Sequence, residues 1–260
     1  MKETLKEKLE KHYVAFDKSS IEPDPLQFLH LYKNENDIEL VGFIASVFAY
    51  GNVRQIISTM NRITGILGND PVYYLKNSSK KIIEKDFSNI VHRFYSSADI
   101  AALFILLKDI YVKEGSLRHV FVKNYDKKSV NLKNEISLFT DYIFNGLEKQ
   151  GASISHGLKF MFPNPAKGSA CKRMNLFLRW MVRKDELDFG LWDDIDKSKL
   201  IIPVDTHVAR VCKEIKLTKR KIADWKMAEE ITENLKKLDP DDPVKYDFAI
   251  CHIGMRKMKL

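Results

Sequence analysis

A lysine and an aspartate, 33 residues apart, are the side chains of this 260-residue chain whose surroundings most favour chemistry. Lys172 follows a segment rich in proline and glycine, and it lies in the first turn of a helix that an apolar pattern predicts. In the first turn of a helix the macrodipole disfavours positive charge and favours the neutral, nucleophilic amine. Asp205 stands at or just before another predicted helix start, where a carboxylate accepts backbone N–H bonds and stays ionised. A solvated lysine and a simple N-cap are the structural alternatives.

The residues before Lys172 predict a helix-hairpin-helix over residues 154–183. An apolar helical end at 158–162 meets the run Pro163-Asn164-Pro165-Ala166-Lys167-Gly168, which forces a tight connection. A new helix is expected to begin near Ser169. The core stripe of this helix is expected to contain Met174, Phe177, Leu178, Met181 and Val182. Its opposite, polar face contains Lys172, Asn175, Arg179 and Arg183.

The hairpin, Lys172 and the run Pro203-Val204-Asp205-Thr206-His207-Val208 with Arg210 closely resemble the helix-hairpin-helix Gly/Pro-Asp superfamily of DNA base-excision glycosylases. The Val-Asp-Thr-His-Val element is the most specific part, and the similarity covers residues 37–254. The long interval between the lysine and the aspartate resembles the archaeal 8-oxoguanine glycosylase branch more than the endonuclease III branch. The whole chain looks most like an uncharacterised bacterial family of this superfamily.

The resemblance implies an enzyme that removes a damaged base and then nicks the strand. Ionised Asp205 would stabilise the positive charge that develops on the sugar, and neutral Lys172 would attack C1′ to form a Schiff base. We therefore expect a base-excision repair DNA glycosylase with AP lyase activity, acting on double-stranded DNA. Oxidised purine, first of all 8-oxoguanine, is the expected substrate. The implied fold is all-α, with two helical subdomains flanking a DNA-binding cleft.

The resemblance also suggests residues that bind DNA and the flipped base. The family hairpin usually offers Gly-x-Gly to a DNA phosphate, often through a monovalent cation, whereas this chain has Ala166-Lys167-Gly168. Phosphate binding is therefore expected to use Lys167, together with Gly168, Ser169 and Arg173. The candidates for the base pocket are Tyr50, Asn52, Trp180, Trp192, Tyr246 and Asp247. For the aromatic residues among them, packing in the core is the alternative role.

Cysteine and histidine usage predicts no metal centre, and the resemblance implies at most a monovalent cation at the hairpin. Cys171, Cys212 and Cys251 form no CxxC pair, and only Cys251 lies beyond Cys212, so the four-cysteine iron–sulfur cluster of the endonuclease III branch cannot be assembled. His207 lacks a second clustered ligand, and we assign it no metal.

Composition agrees with a basic, globular, helical protein. Forty-three Lys and Arg against 35 Asp and Glu give a net charge of +8, which favours a polyanionic partner. Few glycines and prolines and a dominant helical period predict an all-α chain of ten to twelve helices. We expect one domain over residues 1–260, with an N-terminal helix and linker at 1–25. No apolar stretch suits a membrane helix or a secretory signal, so a cytosolic location is expected. The chain is also expected to be a monomer.

Apolar stripes predict where individual helices lie. One helix is expected to stop at Gly51 and Asn52, and the next to begin at Val53. The acidic, aromatic stretch 184–199 lacks a clean period and predicts an ordered loop or short helices. Further helices are predicted at 99–112, 132–147, 170–182, 204–215, 225–238 and 244–253.

Two other functions remain open. One is a monofunctional glycosylase for alkylated or otherwise damaged bases, in which Lys172 only binds DNA. The other is a non-catalytic protein that recognises DNA structure or a protein partner, although binding alone needs neither Lys172 nor Asp205. The basic run Lys216, Lys219, Arg220 and Lys221 fits a phosphate contact and a solvated face equally well.

Overall fold

The computed structural model describes residues 3–258 and confirms the all-α class. This part of the chain contains thirteen α-helices and no β-strand, apart from isolated bridges. The helices are α1 (Leu5–Ala15), α2 (Glu35–Phe48), α3 (Val53–Leu67), α4 (Pro71–Asn77), α5 (Lys80–Asp86), α6 (Ser97–Lys113), α7 (Leu117–Val122), α8 (Lys133–Lys149), α9 (His156–Met161), α10 (Lys172–Val182), α11 (Thr206–Glu214), α12 (Trp225–Lys236) and α13 (Asp247–Met255). Short 3-10 helices lie at Lys18–Ser20, Pro25–Leu31, Pro165–Lys167 and Lys197–Lys199. None of the helices in residues 3–258 is long and apolar enough to cross a membrane.

The chain forms two compact units whose segments alternate along the sequence. Unit 1 contains the residues up to Ile21, the segment 126–134 and the residues from Asn164 onward. Unit 2 contains residues 22–125 and 135–163. Helices α1 and α10 to α13 therefore belong to unit 1, and α2 to α7 and α9 belong to unit 2. Only the first two residues of α8 fall in unit 1.

Unit 2 is built around α2, which is buried along almost its whole length. Its Glu39 is only 4% exposed, and its carboxylate accepts bonds from the Tyr111 hydroxyl at 2.7 Å and from the backbone N–H of Leu117 at 2.7 Å. The predicted break after α2 is confirmed, because Gly51 adopts a left-handed φ of 103° and Asn52 caps α3.

Unit 1 contains the polar face of α10 within its interior. Arg179 and Arg183 are each 3% exposed, and their guanidinium groups bind carboxylates that follow α10 in sequence. Arg179 contacts Asp188 and Asp247, while Arg183 contacts Asp188, Asp185 and Asp242. The face of α10 opposite its apolar stripe is therefore a second packing surface made of ion pairs.

The predicted spans of the six later helices are confirmed to within a few residues at each end. Residues 184–199 contain no α-helix, only the 3-10 turn at Lys197–Lys199, which agrees with the predicted loop. The expected number of helices was too low because α4, α5 and α7 have only six or seven residues each, too few to show a helical period.

Candidate lysine–aspartate site

Lys172 lies in the first turn of α10, as predicted, and hydrogen bonds hold the residues before it. Cys171 takes the N-cap position with a left-handed φ of 46°, and its N–H donates to the Ser169 hydroxyl at 3.2 Å. The buried side chain of Asn175 donates to the carbonyl oxygen of Ala170 at 3.0 Å. Burial raises the pKa of the Cys171 thiol to about 12, so this neighbour of Lys172 stays a neutral thiol. The helix begins at Lys172, three residues later than expected.

Asp205 is the N-cap of α11, which confirms its predicted position at the helix start. One carboxylate oxygen, Oδ1, accepts the N–H of His207 at 2.8 Å and that of Val208 at 2.9 Å. The second oxygen, Oδ2, is left to face Lys172. A single side chain thus satisfies the end of a helix and still has an oxygen directed at another group.

The structure brings Lys172 and Asp205 together. Lys172 Nζ lies 3.0 Å from Asp205 Oδ2, with 33% of the lysine side chain and 18% of the aspartate side chain exposed. Burial raises the pKa of Asp205, but the Lys172 charge and the Val208 N–H lower it more, so it falls below its usual value. The two groups are within ion-pair distance, and both are partly exposed.

The turn at residues 164–168, which precedes Lys172 in sequence, is partly exposed. Asn164 caps the 3-10 turn Pro165–Lys167, and Gly168 follows with a left-handed φ of 87°. Lys167 and Gly168 are exposed, and Ser169 and Arg173 are partly exposed. Gly168 also accepts the Trp225 N–H at 2.9 Å, which fixes the turn to the start of α12. Because α9 belongs to unit 2 and α10 to unit 1, the hairpin that would join them stays a prediction.

Residues 24–256, most of the chain, match a family model described as Protein of unknown function (DUF2400). The chain belongs to the DUF2400 family. In comparisons with curated proteins and with solved structures, nothing matches it. The matched region of the DUF2400 chain includes both members of the lysine–aspartate pair and all of the predicted DNA-binding residues.

The candidates for a base pocket differ in their access to solvent. Trp180, Trp192 and Tyr246 are fully buried in unit 1 of the DUF2400 chain. In unit 2, Tyr50 is partly exposed, and Asn52 is exposed but uses its side chain to cap α3. Asp247 is buried against Arg179. The pocket stays a prediction, and core packing accounts for the positions of the three fully buried aromatics.

The cysteines, His207 and the basic run at residues 216–221 lie in different surroundings. The three cysteines are free thiols, and no group of three or more metal-binding side chains occurs within residues 3–258. His207 is exposed, with its Cβ against Gly254. In the basic run, Arg220 pairs with Asp224 at 2.8 Å, and Lys213 donates to the Lys221 carbonyl at 3.2 Å.

Sequence reasoning missed the ion pairs behind the candidate site. Burial raises the pKa of Asp247 to about 6 even though the charge of Arg179 lowers it, and the negative charge of Asp205 raises it further. The sequence does contain a signal for these buried ion pairs, because two arginines four residues apart on an apolar helix precede an acidic loop. That pattern favours buried ion pairs over a solvated face.

Proposed function

We propose that this chain is a DNA glycosylase with AP lyase activity. The observation that carries the proposal is the 3.0 Å contact between Lys172 Nζ and Asp205 Oδ2, two side chains 33 residues apart. The pair has the residue types that the resemblance implies, at the starts of two helices.

The chemistry needs both members of the pair. Lys172 gives up its ammonium proton to solvent, and the free amine attacks C1′ of the damaged nucleotide while ionised Asp205 stabilises the positive charge that develops on the sugar. The C1′–N bond breaks, and its electron pair leaves with the base. The departing base takes up a proton, and the Lys172 nitrogen loses one to solvent. The C1′–O4′ bond then breaks as O4′ takes up a proton, which gives a Schiff base between C1′ and Lys172. Loss of a C2′ proton to solvent gives an enamine, whose electrons expel the 3′ phosphate by β-elimination. Hydrolysis of the Schiff base regenerates the lysine.

The substrate and the DNA contacts rest on the resemblance. Oxidised purine, first of all 8-oxoguanine, is the proposed base, and the interval between Lys172 and Asp205 supports that choice. The proposal includes a DNA-binding cleft, the hairpin over residues 154–183, a monovalent cation at the hairpin and a cytosolic monomer. The exposed position of Lys167 and the net charge of +8 support binding to the DNA backbone.

The test uses a panel of duplexes, each with one modified base, in the presence and absence of borohydride. The full chain is expected to incise at least one duplex and to form a covalent adduct with it on reduction. Lys172→Gln should abolish incision and adduct formation while retaining DNA binding. Lys80→Gln is the matched control, because Lys80 is also the first residue of its helix and lies 3.9 Å from Glu84.

Three other results of this test would contradict the proposal. Base release without a reducible adduct would favour the monofunctional glycosylase. Tight binding to the duplexes without any base release would favour a non-catalytic DNA-binding protein. Normal incision by folded Lys172→Gln would exclude Lys172 as the nucleophile.

A further inference from the structure

The start of α11 rests against a glycine in the last turn of α13. Gly254 is buried, and a Cβ atom added to it would lie 2.9 Å from Cβ of His207 and 3.2 Å from the carbonyl carbon and oxygen of that residue. His207 is two residues beyond Asp205 and donates its N–H to that carboxylate. Arg210 Nη2 donates to the Gly254 carbonyl oxygen at 2.8 Å. The first two turns of α11 therefore contact the backbone of α13 at a point where any side chain would separate them.

The start of α13 is held to α10 by a buried ion pair. Asp247, the first residue of α13, accepts from Arg179 Nη1 at 2.6 Å. The Nε and Nη2 groups of Arg179 donate to Asp188 at 3.2 and 3.1 Å. All three side chains are within the interior of unit 1. Removing one partner would leave a buried charge uncompensated, so this connection resists displacement.

These contacts connect the two helices that carry the candidate site, α10 and α11, through α13. Helix α10 carries Lys172 and, seven residues later, Arg179. Helix α13 binds α10 through Asp247 and contacts α11 through Gly254, and α11 is capped by Asp205. The partly exposed ion pair between Lys172 and Asp205 contributes at most about 1 kcal/mol, which is too little to fix two helices. Packing on α13 is therefore the stronger determinant of the separation between the amine and the carboxylate.

We propose that Gly254 is a positioning residue for Asp205. Its lack of a side chain lets the start of α11 approach α13 closely, and this approach keeps the Asp205 carboxylate within reach of Lys172. The inference rests on the proposed function for its catalytic consequence. A misplacement of about 1 Å between reacting groups can cost about 10²-fold in rate, and the few tenths of an ångström needed here correspond to a smaller loss.

The principal test is Gly254→Ala in the full chain. Three quantities are measured: the Kd for an undamaged duplex, the single-turnover incision rate on the best duplex of the panel, and the pKa of Asp205 by carbon NMR. We expect an unchanged Kd and a roughly tenfold slower incision. We also expect the pKa of Asp205 to rise towards its ordinary value, because the Lys172 ammonium lies farther away.

Gly65→Ala is the matched control. Gly65 is also within a helix, but a Cβ added there meets nothing within 4 Å. This variant should leave all three quantities unchanged. Adding His207→Gly to Gly254→Ala removes the closest contact, that with His207 Cβ, and should restore part of the incision rate and lower the pKa of Asp205 again.

A second variant covers the case in which Gly254→Ala does not fold. Arg210→Lys keeps the positive charge on a partly exposed side chain. The variant lacks the second guanidinium nitrogen, which in the wild type donates to the Gly254 carbonyl oxygen. The pKa of Asp205 should rise here too, by less than in Gly254→Ala.

The outcomes separate this inference from the proposed function. If Gly254→Ala folds and keeps the wild-type incision rate and Asp205 pKa, Gly254 has no positioning role. If Gly254→Ala does not fold, an unchanged Asp205 pKa in Arg210→Lys leads to the same conclusion. If the wild-type chain incises no duplex, the proposed function fails, and the pKa comparison still decides whether Gly254 positions Asp205.

Discussion

Asp205 uses its two carboxylate oxygens for different purposes. Oδ1 accepts two backbone N–H groups at the start of α11, and Oδ2 contacts Lys172. The first role is local and can be filled by any good N-cap side chain, whereas the second requires a negative charge. Stability and chemistry at this residue can therefore be separated by one substitution.

We predict that Asp205→Asn folds and binds DNA but is nearly inactive. The amide oxygen can still accept the two N–H bonds, so the loss of helix stability should be limited to a dipole contribution of about 0.3–1 kcal/mol. The neutral amide cannot stabilise the sugar cation, and incision should slow by about 10²–10³-fold. Single-turnover cleavage and thermal unfolding measure the two effects.

Asp24→Asn is the control for this prediction. Asp24 is also an N-cap, accepting the Leu26 N–H at 2.8 Å, and it lies in unit 2. Its substitution should leave incision unchanged. If Asp205→Asn unfolds easily yet cleaves at the wild-type rate, Asp205 is a helix cap and nothing more.

His252 provides a second prediction at the scale of one residue. The ring is buried beside Phe248 and Phe16, and neither of its nitrogens has a hydrogen-bond partner within residues 3–258. Burial, with the charges of Arg256 and Arg179, lowers its pKa to about 4. Between pH 6.5 and 4 the unfolded chain therefore takes up a proton that the folded chain does not, and stability falls as the pH falls through this window.

We predict that His252→Phe is more stable than the wild type, by about 1 kcal/mol at pH 7.5, because an unpaired buried polar ring is replaced by an apolar one. The advantage should grow at pH 5, where the wild type loses stability and the variant does not. Urea unfolding at the two pH values measures the difference. An advantage that is equal at both pH values would contradict the lowered pKa.

The helices near the site show what a sequence pattern can and cannot predict. The start of α3 and the cap of α11 were predictable, because Asn52 and Asp205 act on backbone groups two or three residues away. The ion pair that joins α10 to the start of α13 was not. Arg179 binds Asp188 in the acidic loop after α10, which the local pattern indicates, but it also binds Asp247, 68 residues away, and no local pattern indicates that contact. Gly254 was missed for the same reason, since its neighbour His207 lies on another helix.

Glycines inside helices give a prediction at the scale of the element. Gly157 in α9 is buried, and a Cβ atom added there would approach the Asp99 carboxylate and lie 2.5 Å from the Phe94 carbonyl oxygen. Asp99 belongs to the capping box of α6 and accepts the Ser155 hydroxyl at 2.5 Å, so it has little freedom to move. Gly157→Ala should lower the free energy of unfolding by about 1–3 kcal/mol.

The control for Gly157→Ala is Gly65→Ala, where the added methyl group meets nothing. Alanine is the better helix former, so this variant should gain about 0.5–1 kcal/mol. Chemical denaturation of both variants tests the pair. Equal effects at the two positions would mean that helix propensity, and not packing, governs Gly157.

The charge of the whole molecule predicts how DNA binding depends on salt. Each phosphate contact made by a cation contributes about 0.9 to the slope of log K against log salt concentration. Lys167→Ala should therefore weaken binding to every sequence and lower the slope by about one. Lys6→Ala removes the same charge from an exposed position in α1 and should leave the slope unchanged. Equal slopes for Lys167→Ala and the wild type would remove Lys167 from the proposed interface.

The alternation of the two units along the chain affects the order in which they can form during synthesis. Unit 2 is complete once the ribosome has passed residue 163, and most of unit 1 is made after that point. Helix α1 is made early, yet its partner α13 begins 232 residues after the end of α1, and the Tyr246–Glu10 contact joins the two regions. Helix α1 therefore cannot pack against α13 until all of unit 2 has been synthesised. The amphipathic, charged α1 is suited to this delay, because only Leu9 on it becomes fully buried at the end.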